Sequence, residues 1–329
     1  MLRQEQLAGM SEGLWFESAQ APGAECGDTL SHMNWLFPGL GCRYVGMGHD
    51  LFDRPGIAGK LIRQAEEALG YPLAPVCLEG SGRKIVSPRQ EAQAIYVINC
   101  AYAAALREHG HFPNAVLGHS LGTWSAAWVA GVYDFLTGLE LITHVELLLE
   151  ELADGHDLAM GAIIGLDEVT VEDALTAKSG ITIANFNSPA QFVIGGPGKD
   201  VDDVLHAALV RGAKQAKRLP TGRAIHTPWM QEVANKLKLR LDQVSWSDPK
   251  VPFVACDCAN KLGTATEVHR FFSIFLAQPV RWQQSFCTLS GVNTSPFLEV
   301  GPGTLLKTLA WFIDSSVVVR SATDCLEVA

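Results

Sequence analysis

The sequence predicts an α/β protein: a parallel sheet with helices on both faces, interrupted by a small antiparallel unit. Three observations predict it. Apolar strands alternate with helices before residue 155 and again after 226, and such alternation builds a parallel sheet covered on both sides. Between these stretches the order changes to βαββαβ. A Gly-x-Ser-x-Gly segment, Gly118 to Gly122, sits where an apolar strand meets a helix. The chain has 329 residues, 48% apolar and 18% charged, which suits one large domain carrying an insertion and excludes disordered and collagen-like classes.

Residues 1–30 are rich in Gly, Glu and Ala, with Trp15 and Phe16 as the only large anchors, and are expected to form a partly ordered extension. Residues 32–37 (HMNWLF) read as a buried strand ending at the turn Pro38-Gly39-Leu40-Gly41. Ser87, Pro88 and Gln90 supply an N-cap, an N1 proline and a capping-box partner for a helix to about Glu108. A strand over 114–118 and helices over 121–130 and 134–151 follow from apolar spacing. From 158 come a strand, a helix (167–177), two strands (ITIANF, QFVIGG), a helix (199–211) and a strand (KQAKRLP). That is the split-βαβ, ferredoxin-like order. A helix over 228–243, a strand near 252–255, a helix near 266–277, a strand at 296–300 and a helix from 303 resume the α/β rhythm. The expected division is an extension (1–30), a large domain (31–155 and 226–329) and an inserted small domain (156–225).

Twenty-five Lys and Arg against 35 Asp and Glu leave a net charge of −10, which disfavours nucleic acid as a partner. The eight cysteines are scattered, and no basic stretch followed by an apolar run opens the chain, so a secreted disulfide scaffold is not expected. Cys256 and Cys258 form a lone C-x-C without zinc-site spacing and are read as buried strand residues. No apolar run is long enough to span a membrane. A cytoplasmic monomer without bound metal or cofactor is the expectation.

Ser120, at a tight strand-to-helix turn flanked by small residues, is the candidate nucleophile, and the Leu121 N–H beside it could face a developing oxyanion. A hydroxyl needs a base within hydrogen-bond reach. Of the ten histidines, most lie in polar helix faces or loops. His119 adjoins the serine and is read as a buttress. His226 precedes Thr227-Pro228, an N-cap and N1 pair, where a helix dipole disfavours the imidazolium form, so it is the candidate base. The glycine turn offers a second oxyanion donor, the Leu40 N–H. It is not a dinucleotide fingerprint, because Tyr44 stands where a third small residue is required, and no Walker A spacing surrounds Gly198-Lys199.

These residues resemble the malonyl-CoA:acyl-carrier-protein transacylases and the acyltransferase domains of polyketide synthases. The matching stretches are Phe37 to Gly41, Gly46-Met47-Gly48, Gln93, Gly118 to Gly122, Gly161 to Leu166, Ala184 to Pro189 with Gln191, Gly212-Ala213-Lys214, His226, Gln278 to Trp282 and Glu299 to Gly303. The resemblance implies an α/β-hydrolase-like large domain with a ferredoxin-like insertion. It also implies ping-pong acyl transfer through an ester on Ser120, with His226 moving the proton. A backbone carbonyl near Phe275 would orient the imidazole. Gln93, Val145, Asn187, Arg223 and Ile225 fall at substrate-binding positions, and Leu40 takes the place of a glutamine whose side chain is dispensable if its N–H does the work.

One departure bears on substrate. Malonyl-type members carry an arginine in the helix after the elbow, where Val145 stands here. An unpaired carboxylate buried against Val145 would cost several kcal/mol, so a dicarboxylic acyl group is disfavoured unless Arg223 or His144 supplies a relocated charge. Thr123 replaces a glutamate common after the elbow. Arg211, Lys214, Lys217, Arg218 and Arg223 form a basic cluster that fits an acidic acyl carrier protein and its phosphopantetheine phosphate, although such runs are more often a solvated face. The resulting expectation is a serine acyl-enzyme that takes a non-malonyl acyl group from a carrier-protein or CoA thioester and releases it to water. The alternative is transfer of an acyl or aminoacyl group between carriers. Malonyl transfer and a catalytically silent carrier-binding module are further alternatives.

Overall fold

The computed structural model describes residues 32–79, 86–153, 155–176, 180–292 and 295–327. The extension expected over 1–30, with Trp15 and Phe16, lies outside them. β1 (His32–Phe37) is buried from Met33 onward. Three helices follow, α1 (His49–Phe52), α2 (Ile57–Leu69) and α3 (Ala74–Leu78). The sequence alone assigns no element to this stretch, which Gly46, Gly48, Pro55 and Gly56 interrupt. α4 (Pro88–Glu108) opens with the expected capping box, and every residue from Ala92 to Leu106 is buried because α2, α5 and α6 pack around it. Its run of alanines lets those helices come close. β2 (Phe112–Gly118), α5 (Gly122–Val129) and α6 (Phe135–Ala153) follow as expected.

The small unit comprises β3 (Leu158–Ile164), α7 (Glu168–Leu175), β4 (Thr182–Ser188), β5 (Gln191–Pro197), α8 (Gly198–Val210) and β6 (Gln215–Arg218). Its antiparallel sheet has the order β4-β5-β3-β6, the ferredoxin-like arrangement. Ile163, Phe192 and Ile194 bury one face against Val171, Val201 and Leu205 of the two helices.

The chain then forms a 3-10 turn (Pro228–Met230), α9 (Gln231–Leu241), β7 (Phe253–Val254), β8 (Lys261–Leu262) and α10 (Ala265–Ile274). After a second 3-10 turn (Phe275–Ala277) come α11 (Trp282–Val292), β9 (Phe297–Glu299), α12 (Leu305–Ile313), β10 (Val319–Ser321) and α13 (Ala322–Glu327). The helix expected over 228–243 therefore begins only after a 3-10 turn. The strand near 252–255 shrinks to two residues, so Cys256 is buried beyond it and Cys258 is exposed rather than a buried strand residue.

The large sheet has the order β10-β9-β1-β2-β7-β8, parallel except for the β7–β8 pair. Registry sets the geometry of the site. Phe37 pairs with Gly118, and Leu36 with Glu299, so the turns leaving β1, β2 and β9 emerge side by side at the carboxyl edge of the sheet. That edge is where open α/β sheets place ligands. β4 reaches the same region: Asn185 bridges Val280 in parallel, and the Val280 N–H donates to the Ala184 carbonyl at 2.8 Å.

Candidate active site

Ser120 stands between β2 and α5 with φ at 51°, a left-handed conformation that a side chain adopts only under constraint. The constraint is backbone packing. A Cβ on Gly122 would run into the Phe37 carbonyl, and one on Gly39 would run into the His119 carbonyl and stand 3.1 Å from the Leu121 nitrogen. Only glycines let the β1 turn press this closely on the elbow. Thr123 is fully buried; its hydroxyl donates to the Gly118 carbonyl at 3.0 Å and lies 3.4 Å from the Cys256 sulfur, so it braces the strand-to-helix turn.

The Ser120 Oγ lies 2.7 Å from His226 Nε2. On the other side of the ring, Nδ1 is 3.3 Å from the Phe275 carbonyl and 3.2 Å from the Gln278 carbonyl. Carbonyls only accept, so Nδ1 carries the proton and Nε2 is left as the acceptor for the serine hydroxyl. Burial holds the imidazole down to about 4; the Phe275 bond opposes this, His119 adds to it, and the Gln278 bond opposes it. Desolvation thus replaces the helix dipole as the main reason for a neutral ring. The capping expectation also fails: Thr227 makes no side-chain cap and instead donates to the Ala224 carbonyl at 2.6 Å. His226 has φ at 65° and donates its N–H to the Leu276 carbonyl at 2.8 Å. Both members of the pair are held in left-handed backbone.

The Pro38–Gly41 turn is anchored from beneath. The buried Asn99 amide donates to the Pro38 carbonyl at 3.0 Å and lies 3.2 Å from the Ser125 hydroxyl. Leu40 follows Gly39 out of the contact with the elbow and is half-buried; Leu121 is buried. Leu40 lies in the turn that leaves β1 and Leu121 at the start of α5, the two segments that meet at the elbow.

The other expected residues divide. His119 donates from Nε2 to Asn187 Oδ1 at 2.8 Å and packs edge-on against Trp282, so Asn187 supports the elbow rather than facing an open pocket. Gln93 is engaged at both ends of its amide, accepting from the Tyr71 hydroxyl at 2.6 Å and donating to Thr143 Oγ1 at 2.8 Å. Val145 and Ile225 are buried. Arg223, read as a candidate relocated cation, is only 6% exposed and donates to Glu146 Oε2 at 2.6 Å. The basic cluster does not gather as one free face. Arg218 pairs with Asp202 and Asp157, and Arg211 donates to the Ala207 carbonyl at its own helix end. Lys217 lies on the edge strand β6, where lysines also block strand addition.

Asn99, Gln278 and Glu146 escaped the sequence. Glu146 alone left a signal: it falls on the apolar stripe of α6 with Leu139, Ile142 and Leu149, where a charge demands a partner.

Known proteins resemble this chain in sequence and fold. A malonyl CoA-acyl carrier protein transacylase of Synechocystis is 32% identical over 275 residues, covering 84% of this chain and 91% of that one. The polyketide biosynthesis protein ThaF of Burkholderia thailandensis is 33% identical over 294 residues; these cover 88% of this chain but a quarter (25%) of ThaF. The transacylase of Coxiella burnetii superposes with a TM-score of 0.83 at 28% identity, over 91% of this chain and 97% of that one. A malonyl-transacylase in complex with its type II polyketide synthase acyl-carrier protein gives 0.85 at 28% identity, over 91% and 100%. The model of the acyl transferase domain family matches residues 34–310, and the chain belongs to that family.

Proposed function

We propose that the chain is an acyltransferase of fatty-acid or polyketide biosynthesis that moves an acyl group lacking a free carboxylate between phosphopantetheine thioesters. The carrying observation is the Ser120–His226 contact of 2.7 Å, with the imidazole proton fixed on Nδ1 by two carbonyls. Ser120 Oγ attacks the thioester carbonyl as its proton passes to His226 Nε2. The Leu121 and Leu40 N–H groups receive the oxyanion. Collapse breaks the C–S bond, and His226 returns the proton to the departing sulfur. An incoming thiol then gives its proton to His226 Nε2 and attacks the ester; the C–O bond to Ser120 breaks and His226 returns that proton to the serine oxygen. The substrate carries the pantetheine arm and no bound cofactor takes part.

The sequence alone favours water as acceptor; the relatives are named for transacylation, and transfer is the better supported reading. They are also named for malonyl groups. Against a malonyl substrate here stand Val145, buried at the position where the resemblance places an arginine, and the engagement of Arg223 by Glu146. An acidic carrier protein is the partner proposed, with Lys214 and Lys217 as the contact. No helix of the described residues is long and apolar enough to cross a membrane.

The test is intact-mass analysis of the chain with acetyl-, hexanoyl- and malonyl-CoA, followed by addition of a holo carrier protein. Acyl-Ser120 from the neutral donors, then carrier-linked acyl, is expected. Free acid without carrier acylation would mark a hydrolase, a dominant malonyl adduct would overturn the substrate reading, and no adduct with any donor would favour a binding module.

A further inference from the structure

The buried pair Glu146–Arg223 is not used by the proton-transfer machinery. Its two members come from different parts of the fold, 77 positions apart: Glu146 from the middle of α6, Arg223 from the segment leading to His226. Both side chains are withdrawn from solvent, at 4% and 7% exposure. Arg223 precedes His226 by three residues, a stretch of chain that spans at most about 10 Å. Glu146 follows Val145 directly. The pair therefore ties the middle of α6, beside the position where the resemblance places the substrate-binding arginine, to the segment that carries the base His226.

We infer that Glu146 is a resident carboxylate that occupies Arg223 and thereby excludes acyl groups carrying a carboxylate of their own. This rests on Ser120 being the acyl-bearing residue. A guanidinium is suited to bind a carboxylate. With Nη1 on Glu146 at 2.6 Å the charge of Arg223 is already neutralised, so a malonyl carboxylate would either displace Glu146 or enter beside it as a second, uncompensated buried anion. Burial, together with Glu150 and Glu91 nearby, already pushes the Glu146 carboxyl up, while Arg223 pulls it down. The displaced carboxylate would face those two acids without its cation. Glu146 would then set specificity by self-occupation of a site that remains chemically competent, and removing it should uncover latent dicarboxylate recognition.

The experiment compares the full-length chain with Glu146→Gln and with the double variant Glu146→Gln/Arg223→Gln. Single-turnover rates of Ser120 acylation by malonyl-CoA and by the better of acetyl- and hexanoyl-CoA are measured by intact mass. The malonyl-to-neutral ratio should rise about 30-fold in Glu146→Gln, the scale of one gained charged hydrogen bond, and fall back in the double variant. A purely structural pair would slow all donors in proportion. An unchanged ratio in Glu146→Gln, or a rise that persists in the double variant, overturns the inference. If Glu146→Gln does not fold, Glu146→Asp, which draws the carboxylate back by one methylene, should give a smaller rise, and no rise there overturns it as well. A wild-type chain that acylates with no donor defeats the reading of Ser120 itself, a result distinct from a wild-type chain that takes neutral donors while the ratio stays fixed.

Discussion

Lowering the pH should leave acyl-enzyme formation intact through the range where histidines ordinarily titrate and stop it only near pH 4. Burial holds His226 down from 6.5 to about 4, and only the neutral ring can accept the serine proton. At about 1.36 kcal/mol for each pH unit, that depression corresponds to roughly 3 kcal/mol. The folded chain binds this proton less well than the unfolded chain. The contribution to stability is therefore fully present above about pH 6.5 and is lost as the pH falls toward 4. Stability should therefore begin to fall below about pH 6.5, while acylation by the chain that remains folded holds until the pH approaches 4. Rapid-quench acylation of Ser120 followed by intact mass gives the rate, and tryptophan fluorescence under the same conditions reports the fold. An acid limb centred between about pH 6 and 7, with fluorescence unchanged, would mean the ring is solvated and would refute the desolvation account.

Asn99→Ala removes the amide that holds the Pro38 carbonyl at 3.0 Å; it should cost about 1–3 kcal/mol in thermal unfolding and slow acylation more than it weakens donor binding. Gly39→Ala drives a Cβ into the His119 carbonyl and toward the Leu121 nitrogen, and acylation should fall on the order of 100-fold through the disturbed oxyanion donors. Charge reversal of Lys214 and Lys217 should depress turnover with a carrier-linked donor more than with CoA, and equal effects would defeat carrier docking. Glu299→Ala strips the acceptors from the Leu306 and Lys307 N–H groups, each bound at 2.9 Å; unfolding by denaturant should show a loss of about 1–3 kcal/mol.

What could be read in the sequence was what depends on local spacing. The capping box at Ser87, the βαββαβ order and the elbow at Ser120 each arise from residues close in the chain. The Phe275 carbonyl was also anticipated, but through a resemblance rather than from spacing. The site residues that were missed share one property, long-range pairing, whereas the failed Thr227 cap is a local competition won by the Ala224 carbonyl. Gln278 reaches His226 because β4 pins Val280, a contact between segments about a hundred residues apart. Asn99 carries no local sign of its role; it is buried because α2, α5 and α6 pack around α4. Arg223 seemed free because its partner lies on α6. The basic cluster looked continuous in sequence, yet its members point to a helix end, two aspartates and an edge strand.

The same depression of His226 bears on which acceptor resolves the ester. A ring held to about 4 is a weak base, so the acidity of the nucleophile that it must deprotonate matters more than it would for an ordinary histidine. A thiol titrates near about 8.5, whereas water titrates near 15.7, so passing a proton to this ring is uphill by roughly seven fewer pH units for the thiol. Had the ring been oriented by a carboxylate, as in a Ser-His-Asp triad, the imidazolium would be stabilised and water would compete better. The Phe275 and Gln278 carbonyls fix the tautomer without adding a negative charge. They leave a base that takes the serine proton with as much difficulty as it would take one from water, so it is only in resolving the ester that the more acidic thiol gains over water. On this chemistry the acyl group should wait on Ser120 until a pantetheine thiol arrives, which favours transfer over release to water.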